Sequence, residues 1–214
     1  LRRSSAASDV YKRQDHVFGF PFLLLERKYI SDRDGVQPLT VVGTPFVKER
    51  LTELCKLAFP GSLDSMIEHV TWVMEDIGEL EDGWRWERFE VHHDDAVEPH
   101  GYRFEHPSGA SFVHSGDSGP CDALYDAIER SNFAILEMGF PDWVPSTHHH
   151  KPKDVLTFSE RCSTPLGITH TYIDEASPYP TVLESEFPEF ADHVTHLSDG
   201  TKIEWSGASW AVTN

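Results

Sequence analysis

The stretch Ser-Gly-Asp-Ser-Gly-Pro-Cys-Asp-Ala-Leu, residues 115–124, decides the reading of the fold. It follows the strand-like segment 110–114 and runs into residues 122–129, whose apolar spacing suits a helix. A strand that ends in a glycine-rich turn and hands the chain to a helix is the repeating unit of an α/β sheet. Gly116 and Gly119 leave room for the backbone to carry Asp117 close to neighbouring strand ends. By itself an Asp in such a turn is ordinary turn chemistry, so the weight falls on what surrounds it.

Downstream, 133–137 reads as a strand, 152–161 as a helix and 166–170 as a strand. Upstream, 101–105 and 110–114 form a hairpin across His106-Pro107-Ser108-Gly109, whose Pro and Gly supply the restricted and positive φ values of a tight turn. Strands at 70–74 and 84–91 bracket the acidic turn 79–83. A helix capped by Thr44, with Pro45 in its first turn, is expected to run until Pro60-Gly61, after a β-branched strand at 38–42. Residues 17–29 are apolar and read as helical with an interruption at 19–21, and the tail closes on a hairpin of 193–196 with 202–205. Together these predict an α/β protein with a mixed sheet.

Composition narrows the function. The chain has 214 residues, 39% hydrophobic, with 36 acidic against 18 basic residues and a net charge of -18. That apolar content excludes global disorder. The longest apolar run, 17–25, is far short of the roughly 20 residues that a membrane helix needs. Cys55, Cys121 and Cys162 form no CxxC pair and read as reduced thiols, which makes the cytoplasm the expected compartment. The acidic balance disfavours nucleic acid, since a polyanion needs Lys and Arg to displace its counterions. The short basic strip at Glu26-Arg27-Lys28 and Arg33 reads as a solvated face.

Residues 1–14, LRRSSAASDVYKRQ, change composition abruptly at Asp15 and read as translated sequencing adapter joined to a reading frame, a pattern of metagenomic assemblies. The alternative is a basic tail that touches an anionic surface. Without this segment 14 basic residues face 35 acidic ones, a balance of -21, and residues 15–214 are expected to form a single domain.

Histidine is the informative residue, at 13 copies, because imidazole and carboxylate together make metal sites. His16 follows Asp15, His93 ends a predicted strand, Asp117 sits in its Gly-rich turn and His170 ends another strand. Strand ends converge at one edge of a sheet, although any one of these histidines alone is more often a surface or core residue.

In order along the chain, Asp15-His16 before VFGFPFLLL, HHDDAVEPHGYRFEH at 92–106, SGDSGPCDAL, LEMGF at 136–140 ahead of a His cluster, and ITH at 168–170 resemble the metallo-β-lactamase superfamily, in its ribonuclease Z-like branch. The resemblance implies a four-layer αββα sandwich with the site at one sheet edge. In that family a His-x-His-x-Asp-His motif opens the site. Asp15 and His16 look like its last two members, while the first two places fall on Tyr11 and Arg13, so the chain is expected to lack the domain's N-terminal strands.

Carried over, Asp15, His16 and His170 would bind one metal, Asp117 would bridge, and His93 would bind the second; His92 and His100 are rivals for its place. Zinc suits these ligands, with manganese or iron tolerated. Glu137 resembles the Glu of the branch's His-Glu-Ala-Thr motif, although Leu136, Met138 and Gly139 depart from it. Among His148, His149 and His150, counting back from Pro152 favours His149 as the catalytic group, oriented by Glu137, with Asp15 completing the catalytic set.

The activity implied is hydrolysis of a phosphodiester or other small ester through a metal-bridged hydroxide, in a chain whose truncated motif leaves it impaired. The alternatives are a non-catalytic binding protein of the same fold and a tRNA 3′-end endonuclease, which the acidic charge disfavours. Relatives commonly dimerise. Trp143, between Glu137 and His149, is the tryptophan expected to line a pocket.

Overall fold

A computed structural model of the chain describes residues 17–171 and 188–213. These fall into two compact units, one comprising the described residues up to Glu75 with Ala96–Glu98, the other Asp76–Asp95 and the described residues from Pro99 on. Among the described residues no helix is long and apolar enough to cross a membrane.

In the first unit, α1 (Gly19–Glu26) continues into a π-helical turn (Arg27–Ser31), followed by β1 (Leu39–Val42), α2 (Val47–Ala58), α3 (Asp64–Ile67) and β2 (Val70–Val73). The expected break at 19–21 is absent, because Pro21 falls in the first turn of α1, where its missing N–H leaves no intrahelical bond unmade. Phe20 and Leu24 of α1, Val47, Leu51 and Cys55 of α2, and Leu63, Met66 and Val70 bury one another as the core of this unit. Their spacing on α2 is the i, i+4, i+8 stripe of an amphipathic helix. β2 pairs in parallel with β1, Leu39 opposite Val70, and so does not form a hairpin with the strand after the acidic turn.

That place is taken by β3 (Ile77–Glu79), which lies between the expected strand at 70–74 and the acidic turn and overlaps the turn only at Glu79. It opens the second unit and pairs antiparallel with β4 (Arg85–Glu90), Gly78 opposite Trp86. A Cβ on Gly78 would lie 2.1 Å from the Trp86 ring, so glycine is what lets the indole cross the strand. β5 (His100–Glu105), β6 (Ser111–His114), α4 (Asp122–Glu129), β7 (Ala134–Glu137), α5 (Pro152–Ser159), β8 (Leu166–Thr169) and β9 (Val194–His196) follow. The strands make one sheet in the order β3-β4-β5-β6-β7-β8-β9, antiparallel as far as β6 and parallel from there to β9.

Alternate residues of β7 and β8, Ala134, Leu136, Leu166 and Ile168, pack with Val113 against Leu124, Ala127 and Ile128 of α4 and Val155 and Phe158 of α5. This core fixes where the parallel strands end. The expected final hairpin is not formed. β9 instead adds to the sheet beside β8, where Leu197 fills the space left by the missing side chain of Gly167, and β10 (Lys202–Trp205) pairs with β11 (Trp210–Thr213). The indole of Trp210 anchors that hairpin by donating to the Ser111 carbonyl at 3.0 Å and to Asn132 Oδ1 at 2.9 Å. The α/β class with a mixed sheet is as the sequence leads one to expect.

Candidate metal centre

β5 runs antiparallel to both β4 and β6, and β6, β7 and β8 are parallel, so β4, β6, β7 and β8 all reach the same edge of the sheet with their carboxyl ends. In open α/β sheets this edge is where ligands bind. His93 lies just past β4, Asp117 just past β6, Glu137 is the last residue of β7, and His170 follows β8. His170 holds a φ of 56°, a left-handed conformation that a non-glycine residue adopts at a local cost, as residues at functional sites often do.

Glu137 is the centre of the hydrogen bonding. Its Oε1 accepts from the main-chain N–H of Ser118 at 3.1 Å and of His150 at 3.0 Å, and Oε2 accepts from Gly139 N–H at 2.6 Å. Oε1 also lies 3.2 Å from His149 Nδ1 and Oε2 3.7 Å from His170 Nδ1. Burial pushes this carboxyl up, but the imidazoles of His149 and His170, with His150 beyond, outweigh it and hold the group below the usual carboxylate range. A buried carboxylate that keeps its charge needs this number of donors around it.

The two other sequence candidates inside the described residues join it. Asp117, buried, has Oδ1 3.4 Å from His170 Nδ1. His93, also buried, has Nδ1 2.8 Å from the His148 carbonyl, so Nδ1 carries the proton and Nε2 is the lone-pair nitrogen. Its ring stands 4.8 Å from that of His149. His92, by contrast, is exposed and bonded to Thr147 Oγ1 at 3.1 Å, and neither it nor His100 comes into the cluster. Asp15 and His16 lie outside the described residues.

The three consecutive histidines divide by environment. His148 is exposed, its carbonyl used by His93. His149 is buried beside Phe140, with ring centroids 4.4 Å apart, and its Nδ1 is buried without a hydrogen bond, facing Glu137 off the hydrogen-bond axis. His150 is completely buried; its Nδ1 lies 2.5 Å from the Ser118 carbonyl and its Nε2 3.2 Å from the Tyr125 hydroxyl. Burial holds His150 below and Tyr125 above their ordinary pKa ranges, so the imidazole is neutral and the phenol keeps its proton. Trp143, on the same loop, is 62% exposed.

The donor set fits a divalent metal. His93, Asp117 and His149 form one group, and Glu137, His149 and His170 another; within each, one ligand atom per residue lies within 4.8 Å of the others. Imidazole with carboxylate is the chemistry of zinc and its neighbours, and the two groups supply both kinds of donor.

Two glycines make the cluster possible. A Cβ on Gly139 would lie 2.8 Å from His149 Nδ1 and 3.0 Å from Glu137 Oε2, and one on Gly119 would lie 1.7 Å from the Thr147 carbonyl oxygen. The sequence reading gave Gly119 its spatial role but took Gly139 only as a departure from the branch motif, and it missed Ser118 and Tyr125. The one signal for Gly139 was its place two residues after a buried carboxylate.

No family model matches the chain, and no curated protein matches it in sequence. Solved structures do match. The metallo-beta-lactamase fold protein YhfI from Bacillus subtilis superposes with a TM-score of 0.56 at 14% identity, over 75% of this chain and 62% of its own. A long form RNase Z from yeast gives 0.63 at 13% identity, over 89% of this chain and 31% of that one. A diphosphatase from the PhnP family gives 0.57 at 19% identity, over 92% and 70%. The chain thus spans less than two thirds of YhfI and less than a third of the yeast enzyme. The order of strands, the shared carboxyl edge and these superpositions agree: the chain has the metallo-β-lactamase fold.

Proposed function

We propose that the protein is a metal-dependent hydrolase of the ribonuclease Z-like kind, acting on a phosphodiester or other small ester. The observation that carries this reading is the meeting of His93, Asp117, Glu137, His149 and His170 at one sheet edge as two overlapping donor groups. The fold it shares with a yeast RNase Z and a PhnP-family diphosphatase supports it. His93, Asp117 and His170 would hold the metal, with Asp15 and His16 added from outside the described residues. Zinc is the metal these donors favour. When bound, such an ion acidifies water and polarises an ester oxygen.

The chain's own groups then have distinct tasks. Glu137, fixed by three main-chain N–H donors, stands 3.2 Å behind His149 as a stationary negative charge that balances the imidazolium once the ring holds a proton. With Nδ1 turned to Glu137, Nε2 is the atom that delivers the proton to the leaving oxygen, a contribution of about 10²–10⁴-fold for a well-placed general acid. Phe140 against the same ring keeps water from that side. The net charge of -18 favours a small substrate over tRNA.

The test is hydrolysis of bis(p-nitrophenyl) phosphate with metal content measured on the same samples, for the unmodified chain and for the double variant Y11H/R13H, which restores the motif's two histidine places. Turnover confined to the double variant, with a higher metal content, supports both the hydrolase and the interrupted motif. Metal without turnover in either favours a binding protein of the same fold.

A further inference from the structure

We propose that His150 is a positioning residue, whose Nδ1–H locks the turn that carries Asp117 to the loop that carries His149. The inference rests on the reading above of Asp117 as a metal ligand and His149 as the proton donor. His150 contributes no atom to either donor group, and both of its ring nitrogens are occupied. A carbonyl oxygen can only accept, so at 2.5 Å from the Ser118 oxygen Nδ1 must carry the hydrogen. Nε2 is then a lone pair, and the Tyr125 hydroxyl donates to it at 3.2 Å.

The main chain of His150 adds to the same joint. Its N–H faces both Glu137 Oε1 at 3.0 Å and the Ser118 carbonyl at 3.1 Å. Ser118 in turn follows Asp117 directly and donates its N–H to the same Glu137 oxygen at 3.1 Å. One completely buried residue therefore ties the turn after β6 through its ring and its N–H, and the end of β7 through its N–H, to the loop before α5. Tyr125 is itself held, its ring stacked 4.1 Å from Phe158 of α5 with the Arg161 guanidinium 5.0 Å above it. Groups that orient ligands without touching the ion are worth about 10–100-fold in metal affinity or activity.

The experiment is a cobalt(II) titration, followed by visible absorption, of the unmodified chain and of H150N, H150Q, H150F and Y125F, with thermal melts of each. Asparagine places its amide nitrogen near the position of Nδ1, glutamine near that of Nε2. H150Q and H150F are expected to weaken cobalt binding by about 10–100-fold, H150N to recover most of that loss, and Y125F to lose less than H150Q. Should H150F fail to fold, the Asn and Gln variants, matched in polarity, carry the comparison. Cobalt binding that survives H150Q, or that is lost equally in H150N, overturns the positioning role and leaves the metal site standing. A lack of binding by the unmodified chain overturns the metal site, and the positioning role with it.

Discussion

Oε1 of Glu137 lies 3.2 Å from Nδ1 of His149, with both side chains buried and three main-chain N–H groups closing on the same carboxylate. An amide in place of that carboxylate would turn a donor toward Gly139 N–H or toward the N–H groups of Ser118 and His150. E137Q is therefore expected to lose about 1–3 kcal/mol of stability at neutral pH and to lower kcat. H149A is expected to lower kcat by about 10²–10⁴-fold with a smaller loss of stability, because it leaves the carboxylate's main-chain donors in place. Denaturant melts of both variants, and steady-state rates of both in the Y11H/R13H background, check this; an E137Q as stable as the unmodified chain contradicts it.

The same carboxyl sets a pH dependence. Its pKa is held below the ordinary 4.5, the neighbouring imidazoles winning over burial. A group lowered in the folded state contributes stability that is complete above its unfolded pKa and is lost as the pH falls through the folded value. Thermal midpoints of the unmodified chain should fall as the pH drops below 4.5, and those of E137Q should fall less steeply over the same range. Parallel curves for the two would show that Glu137 is not the group being titrated.

Glycine substitutions should rank by what the new methyl meets. At Gly119 it meets the Thr147 carbonyl at 1.7 Å, a backbone atom, while Gly119 itself is held in place by its N–H bond to the His92 carbonyl at 2.7 Å. At Gly139 it meets the His149 ring at 2.8 Å, a side chain able to shift. G139A is expected to cost about 1–3 kcal/mol and to reduce metal affinity, while G119A costs more. Equal melts for the two would contradict the geometry.

These glycines also show where the sequence could and could not be read. The helix at Asp122–Glu129, the strand ending at Glu137 and the His170 that follows Thr169 were legible because apolar periodicity and Pro or Gly punctuation act locally. His93 could be preferred to His92 and His100, and His149 to its neighbours, only through the family resemblance; in the folded chain burial separates His93 from its rivals, and membership of the donor groups separates His149 from the likewise buried His150. Strand partnership was the part that failed. β2 pairs with β1, and β9 with β8, because register depends on long-range packing such as Leu197 against Gly167, which no local pattern carries.

The thiols give a check on the first unit. Cys55 is fully buried, and burial pushes its thiol up to about 11 from 9.0. A group raised in the folded state contributes stability that is complete below its unfolded pKa and is lost as the pH rises through the folded one, so denaturant midpoints should fall between pH 9.0 and about 11. In the native protein at neutral pH, a thiol reagent should label the half-buried Cys121 first, with Cys55 and Cys162 waiting for unfolding. Labelling of Cys55 as fast as that of Cys121 would contradict the packing around it.

The central claim is that the carboxyl edge of the large sheet holds a metal through Asp117, His93 and His170. Its most direct measurement is the metal bound per chain, by elemental analysis after zinc loading and gel filtration, for the unmodified protein and for D117A, H93A and H170A. The account predicts bound zinc in the unmodified chain and a marked loss in each variant that still melts cooperatively. Zinc retained in D117A at the level of the unmodified chain, or no zinc in the unmodified chain, would contradict it.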